Sequence, residues 1–313
     1  MKRGIAVGLS VILMLGLSVG SLAADREVIF VSAESGSGTI QQAIDAANAG
    51  DIVIVQAGLY TENVVIEKPI TLIGREGAIL SPSVPEAPAI FIDAADDVFV
   101  RGIEIIEAGC GILPLNSSCN ISDCTITATE MGIAIHLTDA SSAVHIASCR
   151  TYDSGSGILV SGNGSVSISQ CQMRRHGVGI FIAGYGTTTV SQCSIATCFE
   201  GIVTSTAEKV VLVANEIHHN DGRGIRLEVP SSNGSEPSTE AVDYEGYLAM
   251  FDNLIEDNGQ WAMTLCGING VDSDVVFGTF MGSGNSFTGN GNGPTCPDNL
   301  TFPEGFLKEE SDT

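Results

Sequence analysis

The stretch Val166–Ile182, "VSISQCQMRRHGVGIFI", decides how the chain folds. Val166 and Ile168 alternate with serines, the period of a half-buried strand. Cys171 then breaks the alternation, Met173 restores an apolar position, and Gly179-Ile180 begins another strand-like run. A strand, a sharp turn, a short strand, a looser turn and a third strand thus fit within about 22 residues.

The arrangement repeats. A Gly-Ile pair returns at Gly111, Gly132, Gly157, Gly179, Gly201 and Gly224, in steps of 21, 25, 22, 22 and 23 residues. A second anchor keeps the same phase at Gly102, Cys124, Cys149, Cys171, Cys193 and Asn215, and two longer steps carry it to Asn253 and Asn285. Self-similarity at this period marks a solenoid. A leucine-rich repeat would need a regular leucine skeleton, which is missing. The pattern therefore predicts an all-β, single-stranded right-handed parallel β-helix. Stacking places Cys124, Cys149, Cys171 and Cys193 in one inward column about 4.8 Å apart, continued by the asparagines. Such a row cannot wrap four sulfurs around one zinc, so buried free thiols are expected. Cys266 and Cys296 are the candidate disulfide pair.

The ends of the chain read differently. Residues 1–23 carry Lys2 and Arg3, a long apolar run and Ser21-Leu22-Ala23, the layout of a cleaved secretory signal. Cleavage near Ala23 predicts a secreted, periplasmic or cell-surface protein with no later membrane span. It leaves 11 basic against 37 acidic residues, a net charge of −26, which repels nucleic acid and polyuronates unless cations or a local basic patch intervene. The β-helix domain is expected over 24–306, with a capping helix at about 39–49. There Thr39 and Gln42 have capping-box spacing, Ile40, Ala43, Ile44 and Ala47 form an apolar face, and Gly50 is the stop. "LTFPEGFL" is expected to plug the far end, an insert is expected over about 229–246, and 307–313 forms a solvated tail.

The segment "TIQQAIDAANAGDIVIVQAGLYTENVVIEKPITLIG" resembles the opening segment shared by pectin methylesterases and periplasmic NosD-type proteins, and the repeats resemble the generic parallel β-helix repeat. The chain thus looks like the pectin-lyase-like superfamily, which holds lyases, hydrolases, esterases, epimerases, adhesins and proteins with no known reaction. The resemblance implies a polysaccharide ligand on the Gly-Ile sheet and its flanking turns, with catalysis left open. The alternative is a non-catalytic scaffold or accessory protein engaging a protein partner. Calcium-assisted lyases place carboxylates on that sheet; here only Glu228 approaches that position, so calcium is not supported and no cofactor is identified.

Two surfaces are candidates. Alternation directs Leu113, Ala134, Leu159, Phe181, Val203 and Arg226 outward on the Gly-Ile sheet. This apolar stripe reads either as a surface covered by the insert or as a sugar-stacking platform around Phe181 and Tyr185. Counting four residues past each anchor selects Asp153, Arg175, Thr197, His219 and Asp257 as a column on the turn before that sheet. Arg174 and His218 lie one residue earlier, and His176 completes the Arg-Arg-His triplet. Arg175, His219 and Asp153 are the candidate catalytic groups, since Arg can hold a carboxylate and His or Asp can exchange protons near neutral pH. Arg174, His176, His218, Asp257, Phe181 and Tyr185 are the candidate ligand contacts. The plainer reading of the column is a solvated turn with a surface Asp153–Arg175 ion pair.

Overall fold

The computed structural model describes residues 26–34, 38–127, 130–205, 209–229, 243–267, 276–296, 300 and 302–308. Their strands fall into three sheets: A with 11 strands, and B and C with 10 each. In the coil that contains Cys171, Ser165–Ser169 lies in sheet A, Gln172–Arg174 in B and Val178–Ala183 in C. Each pairs in parallel with the strand one coil before and one coil after.

Register puts like on like inside. Ile112, Ile133, Ile158, Ile180, Ile202, Ile225 and Met263 stack along sheet C, and Ile121, Ile146, Ile168, Val190, Leu212 and Met250 along sheet A; all are fully buried. Each such side chain contributes roughly 1.5–3 kcal/mol by leaving water. The recurrent glycine before the sheet C isoleucine has a steric cause. A Cβ at Gly179 would stand 2.6 Å from the Gly201 carbonyl oxygen and collide with Ile195, so successive coils close up only over glycine.

Most coils turn two of their corners on single left-handed residues. At the A–B corner these are Gly102, Asp123, Ser148, Gln170, Gln192, Ala214, Asp252 and Gly284. The inward anchor follows one residue later. In the first of these coils the anchor is therefore Ile103, not Gly102: Thr125 N–H donates to the Ile103 carbonyl as Arg150 N–H does to that of Cys124. The glycine takes the left-handed position because it lacks a Cβ penalty.

The anchor column holds as expected. Cys124, Cys149, Cys171 and Cys193 are buried free thiols, with hydrogen bonds from their sulfurs to carbonyls such as those of Ser122, Ala147, Ser169 and Ser191. Asn215 continues the row: its Oδ1 accepts from Cys193 N–H at 3.0 Å, and its Nδ2 donates to the Val190 carbonyl and to Asn253 Oδ1. Asn253 repeats the pattern onto Leu212 and Asn285. Every buried amide is thereby satisfied within the stack. The expected Cys266–Cys296 bridge is not formed. Cys296 is free and lies opposite Thr264, because the register sets Cys266 two residues further along its strand.

Both ends are closed. The capping helix is shorter than expected, Ile40–Ala46, and ends at Ala47, where the backbone becomes extended before Gly50. Its capping box is present, and Glu62 accepts from the Ile40 and Gln41 N–H groups at 2.8 and 2.9 Å. Ile40 and Ile44 are buried. At the other end Phe306 is fully buried and stacks on Phe302, while Lys308 N–H donates to the Asn285 carbonyl. The long connection is also shorter than expected: the sheet C strand runs to Val229 and the next sheet A strand starts at Asp243. Residues 230–242, 1–25 and 309–313 lie outside the described residues, as do the signal, the core of the insert and most of the tail.

Candidate functional site

The B–C corner repeats the logic of the A–B corner. A left-handed residue closes seven of the ten short sheet B strands: Glu107, Asp153, Arg175, Thr197, His219, Asp257 and Gly289. A tight turn that holds φ near +55° aims each of these side chains away from the core, so the column read from the spacing exists as a column. Next inward comes a second buried ladder: Ser154, His176, Cys198, Asn220 and Asn258. One residue further stand Gly109, Gly155, Gly177, Phe199, Asp221, Gly259 and Gly291, where the chain re-enters sheet C.

Geometry divides the candidates. Arg175 grips Asp153 with two bonds, Nε to Oδ1 at 2.7 Å and NH2 to Oδ2 at 2.8 Å, and its guanidinium lies 5.5 Å from the Tyr152 ring centre. The guanidinium holds the Asp153 carboxyl below its ordinary range, while Asp153 raises Arg175 further. Asp153 is thereby a poor proton donor. His219 and Asp257 face each other at 3.9 Å, both exposed, and His219 Nδ1 meets His218 Nδ1 at 2.8 Å. Only one imidazole of that pair can place a proton between them. Burial and then the His219 charge lower the His218 pKa. Arg174 shares a sheet B column with Tyr152, Ala196, His218 and Glu256.

His176 is not a ligand contact. It is 4 % exposed and turned into the core, with Nδ1 against the Ser154 N–H at 3.0 Å and Nε2 against the Thr151 carbonyl and hydroxyl at 2.9 and 3.0 Å. Burial lowers its pKa and keeps it neutral. Its neighbours in the triplet point outward because the left-handed turn at Arg175 reverses the alternation.

On sheet C the outward column is Ala134, Leu159, Phe181, Val203, Arg226 and Thr264 by register. Ala134, Val203 and Thr264 are buried and Leu159 and Phe181 half-buried, so this stripe is not an open platform. Tyr185 is 68 % exposed, but it sits in the turn beyond the strand. Beside Val203 lies a charge network: Arg223 to Glu200 at 2.8 Å, Arg226 to Glu200 at 3.8 Å and Arg226 to Glu228 at 2.8 Å. Glu228 is thus spent on Arg226. Glu200 is buried, and its Oε2 and the Nε atoms of both arginines have no partner among the described residues.

Sequence reasoning also misses Phe199. It is 57 % exposed, in a station that glycine fills in most coils. Its backbone bonds back to His176 at 2.8 Å and forward to Gly222 at 2.7 Å, which sets the ring on the same edge as Arg175 and His219. The break in the glycine column is the signal that marks it. Along the edge toward the N-terminus runs a groove of about 840 Å³ lined by Pro85, Glu86, Glu107, Glu130, Asp153 and small residues. Among the described residues no three His, Cys, Asp or Glu side chains are grouped to hold a metal ion, and no helix is long and apolar enough to cross a membrane.

Residues 110–236 match the family model for the right handed beta helix region. An alginate lyase from Paenibacillus sp. FPU-7 superposes with a TM-score of 0.62 at 14 % identity, covering 90 % of this chain and 99 % of the lyase. The fold is the pectin-lyase-like parallel β-helix. An exopolygalacturonase from Thermotoga maritima shares this β-helix with a TM-score of 0.58 at 10 % identity, over 82 % of this chain and 80 % of the enzyme. A cell surface glycoprotein of Methanothermus fervidus is 33 % identical over 121 residues, which are 38 % of this chain. The match spans only 20 % of that relative's length.

Proposed function

We propose that this β-helix is exported and binds a neutral or amino-sugar polysaccharide along its B–C edge. The observation that carries the reading is Phe199: an exposed aromatic ring in a glycine station, flanked by planar polar groups at Arg175, His219 and Asp257. A ring of this kind offers a flat apolar surface to a sugar face, while the rim groups meet its hydroxyls. The acidic groove at Glu86, Glu107, Glu130 and Asp153 extends the path and disfavours a polyuronate chain in the absence of cations. Two similar structures are polysaccharide-acting enzymes by name, which supports a polysaccharide ligand in general. The rim supports binding more directly than turnover, since Asp153 is engaged by Arg175 and His176 is locked inside. If a proton is transferred, His219 is the group placed to do it.

Affinity electrophoresis of the mature protein against neutral, amino-sugar and uronate polysaccharides tests this. Binding to one of the first two classes, weakened roughly tenfold by Phe199→Ala, is expected for loss of one stacking surface. Equal binding by parent, Phe199→Ala and His219→Ala would move the site off this edge. The second reading, a surface scaffold, is favoured by the local match to the cell surface glycoprotein. It gains if no glycan class is retarded.

A further inference from the structure

Asparagine has two separate uses in this chain. Asn215, Asn220, Asn253, Asn258, Asn285 and Asn290 build the inner ladders, and none of them is followed by Ser or Thr two residues on. Five asparagines do carry that spacing, without proline between: Asn233 and Asn299, which lie outside the described residues, and Asn116-Ser117-Ser118, Asn120-Ile121-Ser122 and Asn163-Gly164-Ser165 within them. The three described ones fall at one place in the fold. Asn116 and Asn163 sit in turns where the chain leaves sheet C for sheet A, after strands ending at Leu115 and Gly162. Asn120 lies in the sheet A strand that follows the first of these turns. The C–A edge is a different corner of the solenoid from the B–C edge.

From this placement we propose that Asn163, with Asn116 beside it, is an N-glycosylation site, and that the C–A edge carries N-linked glycan. Both Asn163 and Ser165 are exposed, and the Asn163 backbone N–H is satisfied by the Leu137 carbonyl at 2.6 Å, so the side-chain amide is presented to solvent. Gly164 is the residue the turn demands, since a Cβ there would run into Leu137 and into the Ser142 carbonyl. At Asn116 the left-handed backbone, φ +47°, turns the side chain so that Oδ1 accepts from the Thr138 N–H and hydroxyl at 2.8 Å. That leaves Nδ2 as the open group. The sequon is an acceptor because its hydroxyl residue and an accessible amide are read together by a transferase. In the transfer, Asn Nδ2 forms a bond to the anomeric carbon of a lipid-phosphate-linked oligosaccharide. The bond from that carbon to the phosphate oxygen breaks, one amide proton leaves, and nothing is oxidised or reduced. Asn120, on the sheet A face between Phe99 and His145, is the more hindered acceptor. Glycans on this edge leave the B–C edge clear.

The inference rests on the export reading, so the test reports on both. Protein recovered from its own cells is digested with trypsin, and the Thr151–Arg174 peptide and the N-terminal peptide are weighed by mass spectrometry. The expected result is an N-terminus near Ala24 and an oligosaccharide mass on Asn163. That mass should be lost both in Asn163→Gln and in Ser165→Ala, which keeps the asparagine. A mature N-terminus with bare Asn116, Asn120 and Asn163 overturns the glycosylation site alone. Retention of residues 1–23 with bare asparagines overturns export and glycosylation together.

Discussion

His176 and Asn220 make the same two hydrogen bonds two coils apart. Asn220 Oδ1 accepts from the Cys198 N–H at 2.9 Å and its Nδ2 donates to the Ile195 carbonyl at 3.2 Å. His176 Nδ1 accepts from the Ser154 N–H and its Nε2 donates to the Thr151 carbonyl. The imidazole is thus an asparagine substitute with a larger ring. His176→Asn is expected to fold with near-parental stability, whereas His176→Ala removes both bonds and opens a cavity, at a cost of about 2–4 kcal/mol. Chemical denaturation of the two variants decides; equal losses would show that the ring is held by packing alone.

The same residue sets an acid limit. Burial lowers the folded-state pKa of His176 and of His218 below the ordinary 6.5, so between those values the unfolded chain binds more protons than the folded one. Stability then falls as pH drops through about 6.5. Comparing melting temperatures from about pH 7.5 to 5 should show a shallower fall in His176→Asn than in the parent. Parallel curves would mean that other groups govern the acid transition.

Asn253 is the middle of its ladder and carries more than one neighbour. It accepts from both the backbone and side-chain amides of Asn215, at 3.0 and 2.9 Å, and donates to Leu212 and Asn285. Asn253→Ala strands these buried groups at once, and a loss of about 3–5 kcal/mol is expected in urea unfolding. A loss under about 1 kcal/mol would imply that water replaces the amide.

How far the sequence reveals this architecture depends on which corner is considered. The A–B corner is legible because cysteines and asparagines recur at a steady spacing, and the register survives two long insertions through Asn253 and Asn285. Only its first member is misread, since Gly102 occupies the left-handed position that precedes each anchor, not the anchor itself. The inner B–C ladder is hidden because its occupants change chemistry from Ser154 to His176, Cys198 and Asn220. His176 is moreover embedded beside two arginines, whose charge suggests a surface. The sites on sheet C are hidden for another reason: Glu200 and Arg223 come from different coils and meet only across the register. Tertiary pairing, not local pattern, brings those charges together.

The buried thiols should be silent. Burial pushes Cys119 up to about 12 and Cys110 and Cys198 up to about 11. Cys149 is held protonated by hydrogen bonds with Cys124 and Cys171 as well as by burial. A thiolate is the reactive form, so among the described thiols native labelling should be confined to the partly exposed Cys296, and labelling should rise to all nine cysteines only in denaturant. Rapid native labelling at Cys171 or Cys193 would show that the coils open there.

The Asp153–Arg175 pair tests whether the rim is built for stability or for a ligand. Both side chains are more than two-fifths exposed, so solvent screens the pair despite its two short bonds. A left-handed backbone already positions each residue, and neither side chain supports the core. Asp153→Ala, Arg175→Ala and the double variant should therefore shift the melting temperature by about 2 °C at most. Glycan affinity should respond differently. Removing Asp153 frees the Arg175 guanidinium, which then offers five donors to a carboxylate or a hydroxyl-rich chain. Asp153→Ala is expected to improve uronate binding relative to the parent, and the double variant to lose that gain. Measured side by side, unchanged uronate affinity in Asp153→Ala would mean that no ligand reaches the Arg175 position.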